Sequence, residues 1–276
     1  FKKTIMPGIA KILQGILRYR LIDRVHMVEK FQRIRENPQP TSVFFTCMDS
    51  RVLASRFMYS SVGDNIIVRN AGNLIPRAEN FSYDTVTTEA GALELGCIRN
   101  NIRHVVVCGH SDCKAMNLLF TCRHECHKPE GTPLQLWVKK HGQRSVEKFS
   151  MLSSENKYLG PVVFQAETTQ RTFEAFIDPE DKFRIEDKFS QVNCLTQLQN
   201  IAGYPMLKDK LANDEVRLHA MWFDIYTGNV YMFSREKKRF IEINEENLYH
   251  LITDAESKAS ADFIVHGDHG VYSEIK

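Results

Sequence analysis

Cys47, Asp49 and Arg51 alternate through "CMDSR", and His110 and Cys113 bracket "HSDC" about one strand-helix-strand unit later. Zinc takes thiolate sulfur and imidazole nitrogen readily; a catalytic zinc keeps three protein ligands and one open position, whereas a structural zinc closes all four. Cys47, His110 and Cys113 make three. Asp49 is within reach of the fourth position or of whatever fills it, and Arg51 can fork onto that carboxylate with paired donors. A carboxylate held in this way is a poor ligand and a good acceptor. Two thiolates cancel the metal's formal charge, so a coordinated water should ionise above the value of about 7 typical of a three-histidine zinc, and activity should favour alkaline conditions.

Each residue alone has a plainer reading: a buried Cys is usually a small apolar residue, and Asp-Ser-Arg is usually a turn with a surface ion pair. The conjunction favours chemistry. "VFFT" precedes Cys47 and "HVVVCG" precedes His110, which places all five groups at the carboxyl ends of two buried parallel strands, where open α/β sheets carry their sites. A second cluster, "TCRHECH", holds Cys122, His124, Cys126 and His127 before Pro129, Gly131 and Pro133 and reads as an exposed loop. It offers an alternative, a closed zinc on His110, Cys113, Cys122 and Cys126, which would leave Asp49 and Arg51 without a purpose. Cys97, Cys108 and Cys194 read as packing residues, Cys97 on a helix face with Val86, Ala90 and Leu93.

The elements that must position these groups follow from periodicity and turn chemistry. Residues 43–46, 64–69 and 104–108 read as strands, and 84–100 as a helix. A helix should start near Asp112, capped by it, with its amino-terminal dipole favouring anionic groups near Cys113. Residues 134–149 read as helical and 190–212 as a further helix. Strands at 216–226 and 229–234 are joined at Thr227-Gly228-Asn229 as a hairpin at one sheet edge. The alternation predicts an α/β fold, a mostly parallel central β-sheet flanked by helices with an antiparallel edge hairpin.

Residues 1–20 are basic, lack acidic residues and carry Ile9, Ile12, Leu13, Ile16 and Leu17 at helical spacing. They suit an arm that docks on a partner subunit, the favoured reading, or a mitochondrial targeting helix. The chain opens on Phe1 rather than Met, which implies trimming or a longer precursor. The expected organisation is an amino-terminal helical arm over 1–30 and one catalytic domain over 31–276.

With 276 residues, 43% of them hydrophobic, the chain can bury a large core. A net charge of +2 offers no basic excess for nucleic acid, and no run of about 18 apolar residues suggests a membrane span. Seven cysteines, an odd number without a secretory signal, favour reduced thiols and metal binding in a mitochondrial or cytoplasmic setting.

"FTCMDSRV", "VRNAGNLIP" and "CGHSDCKAM" resemble the signature segments of the β-class carbonic anhydrases, in their animal branch, and the similarity runs over roughly residues 15 to 245. The resemblance implies zinc-dependent interconversion of CO2 and bicarbonate, one Zn²⁺ per chain on Cys47, His110 and Cys113, and an Asp49–Arg51 dyad beside the fourth position. It implies an apolar CO2 pocket at Ile66, Ala71 and Leu95, where plant enzymes typically show Phe, Val and Tyr, with Gln39 near the position of a substrate-binding Gln. It also implies a homodimer or higher oligomer with sites at the subunit interface. Phe44 stands where a subgroup regulated by bicarbonate has Trp, so that regulation is not expected; Lys114 and Ala115 replace a frequent Gly pair. The competing functions are a CS2 or COS hydrolase with the same zinc shell and a non-catalytic zinc-stabilised scaffold. No proton shuttle stands out, since a lone His such as His104 or His219 is more often structural.

Overall fold

The computed structural model describes residues 8–78, 84–154, 157–158, 161–257 and 263–264. Its strands are β1 Ser42–Cys47, β2 Asn65–Asn70, β3 His104–His110, β4 Ser153–Ser154, β5 Lys157–Tyr158, β6 Val162–Gln165, β7 Arg171–Ala175, β8 Arg217–Phe223, β9 Val230–Ser234, β10 Arg239–Glu242 and β11 Phe263–Ile264. Its helices are α1 Gly8–Arg18, α2 Arg24–Ile34, α3 Ala54–Phe57, α4 Thr88–Leu93, α5 Lys114–Thr121, α6 Pro133–Ser150, α7 Ile185–Ala202, α8 Lys208–Ala212 and α9 Leu248–Glu256.

The main sheet has the order β10-β9-β8-β3-β1-β2. β8, β3, β1 and β2 run parallel, and β9 and β10 add antiparallel strands at the β8 side. Burial on both faces explains the unbroken apolar runs of β1 and β3, as expected of central parallel strands. Val43, Phe45 and Cys47 face the larger core, which α5, α6 and α7 cover. Phe44, Val106 and Cys108 face a smaller cluster with Ala54, Phe57 and Met221.

α7 is buried almost along its whole length, and its polar residues explain how that is tolerated. Gln197 accepts the Ile75 N–H at 2.7 Å, Asn193 donates to the Gly72 carbonyl at 3.0 Å and Asn200 to that of Ile75 at 3.0 Å. Ser190 donates to the carbonyl of His110 at 3.0 Å. A buried amide or hydroxyl costs free energy unless paired, so these bonds tie α7 to both the turn after β2 and the end of β3.

Several boundaries differ from the sequence expectation. The helix expected over 84–100 starts at Thr88 and ends in a wider π turn over Glu94–Arg99, so Ala90, Leu93 and Cys97 share the core while Val86 is exposed. The helix expected over 190–212 begins at Ile185 and stops at Ala202, because Pro205 cannot continue it and instead opens a short 3₁₀ turn before α8. Asp112 does not cap α5: Cys113 occupies that position, and Asp112 is in the left-handed region at φ 48°. β10 extends the edge hairpin to three strands, and β6, β7 and β11 form a second sheet for which the sequence patterning gave no strands. Strands as short as "VVFQ" and "RFIE" carry too few alternations to register as a period.

α1 and α2 are joined by a π turn over Tyr19–Asp23 and contain no buried residue. Ile9, Ile12, Leu13, Ile16 and Leu17 are all more than half exposed, between 55% and 65%.

Candidate metal centre

Parallel pairing brings the two motifs together. Cys47, the last residue of β1, stands opposite Asn70 at the end of β2, and Thr46 stands opposite Cys108, two residues short of His110 at the end of β3. All three strands therefore finish on one rim, and the loops beyond them carry the polar groups.

The sulfurs of Cys47 and Cys113 are 3.8 Å apart, and with a ring nitrogen of His110 they form a set whose atoms all lie within 4.8 Å of one another. All three side chains are buried, His110 and Cys113 at 1% exposure or less. The Nδ1–H of His110 donates to the carbonyl of Ser111 at 2.8 Å, which leaves Nε2 with its lone pair free, and that buried nitrogen has no hydrogen-bond partner. A zinc ion fits this arrangement: tetrahedral geometry with Zn–S bonds of about 2.3 Å requires sulfurs about 3.8 Å apart. The bond from Cys113 and the proximity of His110 favour the Cys47 thiolate, while that bond and burial push the Cys113 thiol up.

Asp49 and Arg51 stand at the mouth of this set. Arg51 donates from its backbone N–H and from Nε to Asp49 Oδ1, both at 2.9 Å, and from Nη2 to Oδ2 at 2.7 Å. These bonds to Arg51 hold the Asp49 carboxyl far below the usual carboxylate range. Three of roughly four acceptor sites on the carboxylate are thereby occupied, which leaves one on Oδ2.

Arg69 and Asp112 also shape the loop, and sequence reasoning assigned neither of them this role. Arg69 on β2 donates to the carbonyls of Cys47 at 3.0 Å and Asp49 at 2.7 Å, fixing the loop backbone. Asp112 accepts from Arg51 Nη1 at 2.9 Å and from Lys114, which together hold its carboxyl down at about 2. The signal was a charged residue inside each motif, "VRN" and "HSDC", but capping was the simpler use for Asp112.

Of the remaining candidate positions, Ile66, Gln39 and Leu95 lie apart from this set within one protomer, and Ala71 does not. Ile66 is half-buried opposite Val43, four residues below Cys47 on β1, hence about 13 Å down the strand. Gln39 is exposed and precedes the opposite end of β1. Leu95 is 51% exposed in the π turn. Ala71 follows β2 directly on the site's rim, and its carbonyl accepts from Trp137 Nε1 at 2.9 Å. Phe44 is buried against Phe57, with ring centroids 6.4 Å apart.

The four-ligand alternative does not assemble. Cys122 donates to the Leu119 carbonyl and Cys126 to that of Cys122, and among the described residues only Cys47, His110 and Cys113 gather as a metal set. His104 and His219 pair with each other, Nδ1 to Nε2 at 3.0 Å, near the opposite end of β3.

Comparison with known proteins agrees with this geometry. Residues 42–230 match the family model described as carbonic anhydrase. The chain is 45% identical to beta carbonic anhydrase 1 of Caenorhabditis elegans over 256 residues, 90% of this chain and 93% of that one. Among solved structures it is similar to the β-carbonic anhydrase CcaA, with a TM-score of 0.66 and 24% identity over 86% of this chain and 100% of that one. It also resembles a tetrameric β-carbonic anhydrase of Sordaria macrospora, with a TM-score of 0.54 and 16% identity over 81% of this chain and 95% of that one. These last two likenesses concern the fold.

Proposed function

The chain belongs to the β-carbonic anhydrases, zinc enzymes that interconvert CO2 and bicarbonate, and from that premise we propose that Cys47, His110 and Cys113 hold one zinc per chain while Asp49 and Arg51 govern the fourth position. The observation that carries the assignment is the buried, unpartnered Nε2 of His110 beside two sulfurs at tetrahedral spacing. An unpaired buried nitrogen is costly, and a metal ion removes the cost.

Zinc supplies a Lewis acid that makes water a nucleophile near neutral pH. The chain's own residues supply orientation. His110 keeps its Nε2 lone pair directed outward because Nδ1 is committed to Ser111. Arg51 saturates most of the Asp49 carboxylate, so Asp49 is discouraged from ligation and its remaining Oδ2 site accepts a hydrogen bond from the O–H of the reactant water. Held in one direction by that bond, the water oxygen would present a lone pair to CO2. Apolar neighbours of the two thiols keep bulk water out and strengthen each of these bonds.

The functional unit we propose is a homodimer or a higher homo-oligomer, each chain built from an arm over 1–30 and a catalytic domain over 31–276. An amphipathic helix with its whole apolar stripe in solvent is covered when a second copy takes it up. Gln39, Ile66 and Leu95 are then contributed to the partner's CO2 pocket, and Ala71 to its own protomer's. The tetrameric Sordaria relative accords with such an assembly. Seven free cysteines support a reducing compartment, mitochondrial or cytoplasmic.

Stopped-flow CO2 hydration with metal analysis tests the reading. Hydration with one zinc per chain, both lost in Cys47→Ser, is expected; stoichiometric zinc without hydration would overturn the catalytic role. Light scattering on a Leu13→Asp, Leu17→Asp variant should show monomers with little activity, and a fully active monomer would remove the shared pocket.

A further inference from the structure

Three hydrogen bonds join Arg51 to Asp49, yet both residues belong to the loop after β1, so these bonds do not fix the pair relative to the ligands at the end of β3. Arg69 anchors the loop's backbone carbonyls but not the two side chains. Arg51 is 40% exposed and has room to move with its carboxylate. The tie across the mouth is Asp112: Arg51 Nη1 donates to Asp112 Oδ2 at 2.9 Å, and Nη2 donates to its carbonyl at 3.0 Å.

Asp112 is itself held from three directions. Its N–H donates to Asp187 Oδ1 at 2.7 Å, at the start of the buried helix α7. Asn117 Nδ2 donates to its Oδ1 at 3.2 Å, and Lys114 Nζ reaches both carboxylate oxygens at 2.8 and 2.9 Å. Its side chain is only 13% exposed, in contrast to 71% for Lys114, so Lys114 contributes the smaller share.

We propose that Asp112 is a positioning residue of this enzyme: it pins the outer edge of Arg51 to the β3–α5 loop and so prevents the Asp49–Arg51 pair from swinging its carboxylate onto the metal. Lys114, where relatives often have glycine, braces that second carboxylate. The inference rests on the assignment of Cys47, His110 and Cys113 as zinc ligands. Simple electrostatics and positioning give opposite signs here. Removing a negative charge at the mouth tightens binding of a small anion to the metal, whereas releasing Asp49 to compete for the fourth position weakens it.

The test uses Asp112→Asn, since Asn tolerates the left-handed backbone at this position. Cobalt(II) replaces zinc in the full chain, and azide is titrated while the metal's visible absorption is followed. The variant should retain its metal and bind azide about tenfold more weakly or worse, the effect of losing a charged hydrogen bond. The same change in an Asp49→Asn background should have no such effect, because the competing carboxylate is gone. Azide binding in Asp112→Asn that is unchanged or tighter, with the metal intact, overturns the proposal alone. A wild-type chain that takes up no cobalt overturns it together with the ligand assignment.

Discussion

Cys47 Sγ and Cys113 Sγ meet at 3.8 Å although 66 residues separate them in the chain. Parallel pairing of β1 with β3 creates that proximity, and the spacing matches what two thiolates on one tetrahedral zinc require.

Replacing either sulfur should therefore cost the metal rather than the fold. Cys47→Ser is expected to bind zinc at least about a hundredfold more weakly, more than is typical for loss of a group supporting a ligand. Metal analysis after dialysis against a chelator checks this, and full retention of zinc would show that Cys47 is not a ligand.

Arg51→Ala removes the two guanidinium donors to Asp49 and leaves only the backbone N–H of residue 51. The freed carboxylate should close the fourth position, lowering CO2 hydration by about a hundredfold or more while zinc content stays at one per chain. Hydration at the wild-type rate with zinc in place would exclude this role for Arg51.

Gly109 on β3 lies close against α7 and β8: an added Cβ would come within 2.5 Å of Cys194 Sγ and 3.3 Å of Trp222 Cδ1. Gly109→Ala should cost about 1–3 kcal/mol through overpacking and loosen zinc by displacing the adjacent His110. A urea midpoint equal to the wild type's would show that the helix yields freely.

Burial pushes the His219 imidazole down to about 3, in a cavity of about 300 Å³ lined by Val106, Met221, Leu251 and Ile252. The unfolded chain protonates at about 6.5, so the neutral imidazole's contribution is complete above that pH and is lost as pH falls toward 3. The loss should reach about 1–2 kcal/mol at pH 5. Urea unfolding between pH 7 and 4.5 should show His219→Gln releasing about one proton's worth of this slope; an identical slope would mean His219 is protonated in the native state.

The larger α/β pattern was legible because its signals are local. "SVFFTC" and "HVVVCGH" are continuous apolar runs that only strands buried on both faces require, and each ends on a chemically distinctive residue. Whereas the stop before Pro205 was a local signal that the expected helix over 190–212 ran past, the helix start near Val86 and short strands such as β6 and β10 were not legible, because packing partners rather than periodicity set them. The polar face of α7 is the same case: Gln197 and Asn200 look like surface residues until the turn around Ile75 is laid against them.

By itself the sequence determined the donor types, the Asp49–Arg51 pairing two residues apart and the ends of strands on which they stand, since these depend on neighbours along the chain. Only the tertiary structure decided that His110 and Cys113 meet Cys47, that Cys122 and Cys126 do not join them, and that Asp112 turns away from capping α5 to reach Arg51. Those outcomes depend on which strands pair and in what register, and on a left-handed backbone at Asp112 held by Asp187, 75 residues away. Contacts over such separations are fixed by the packing of the whole sheet, which no local pattern of residues encodes.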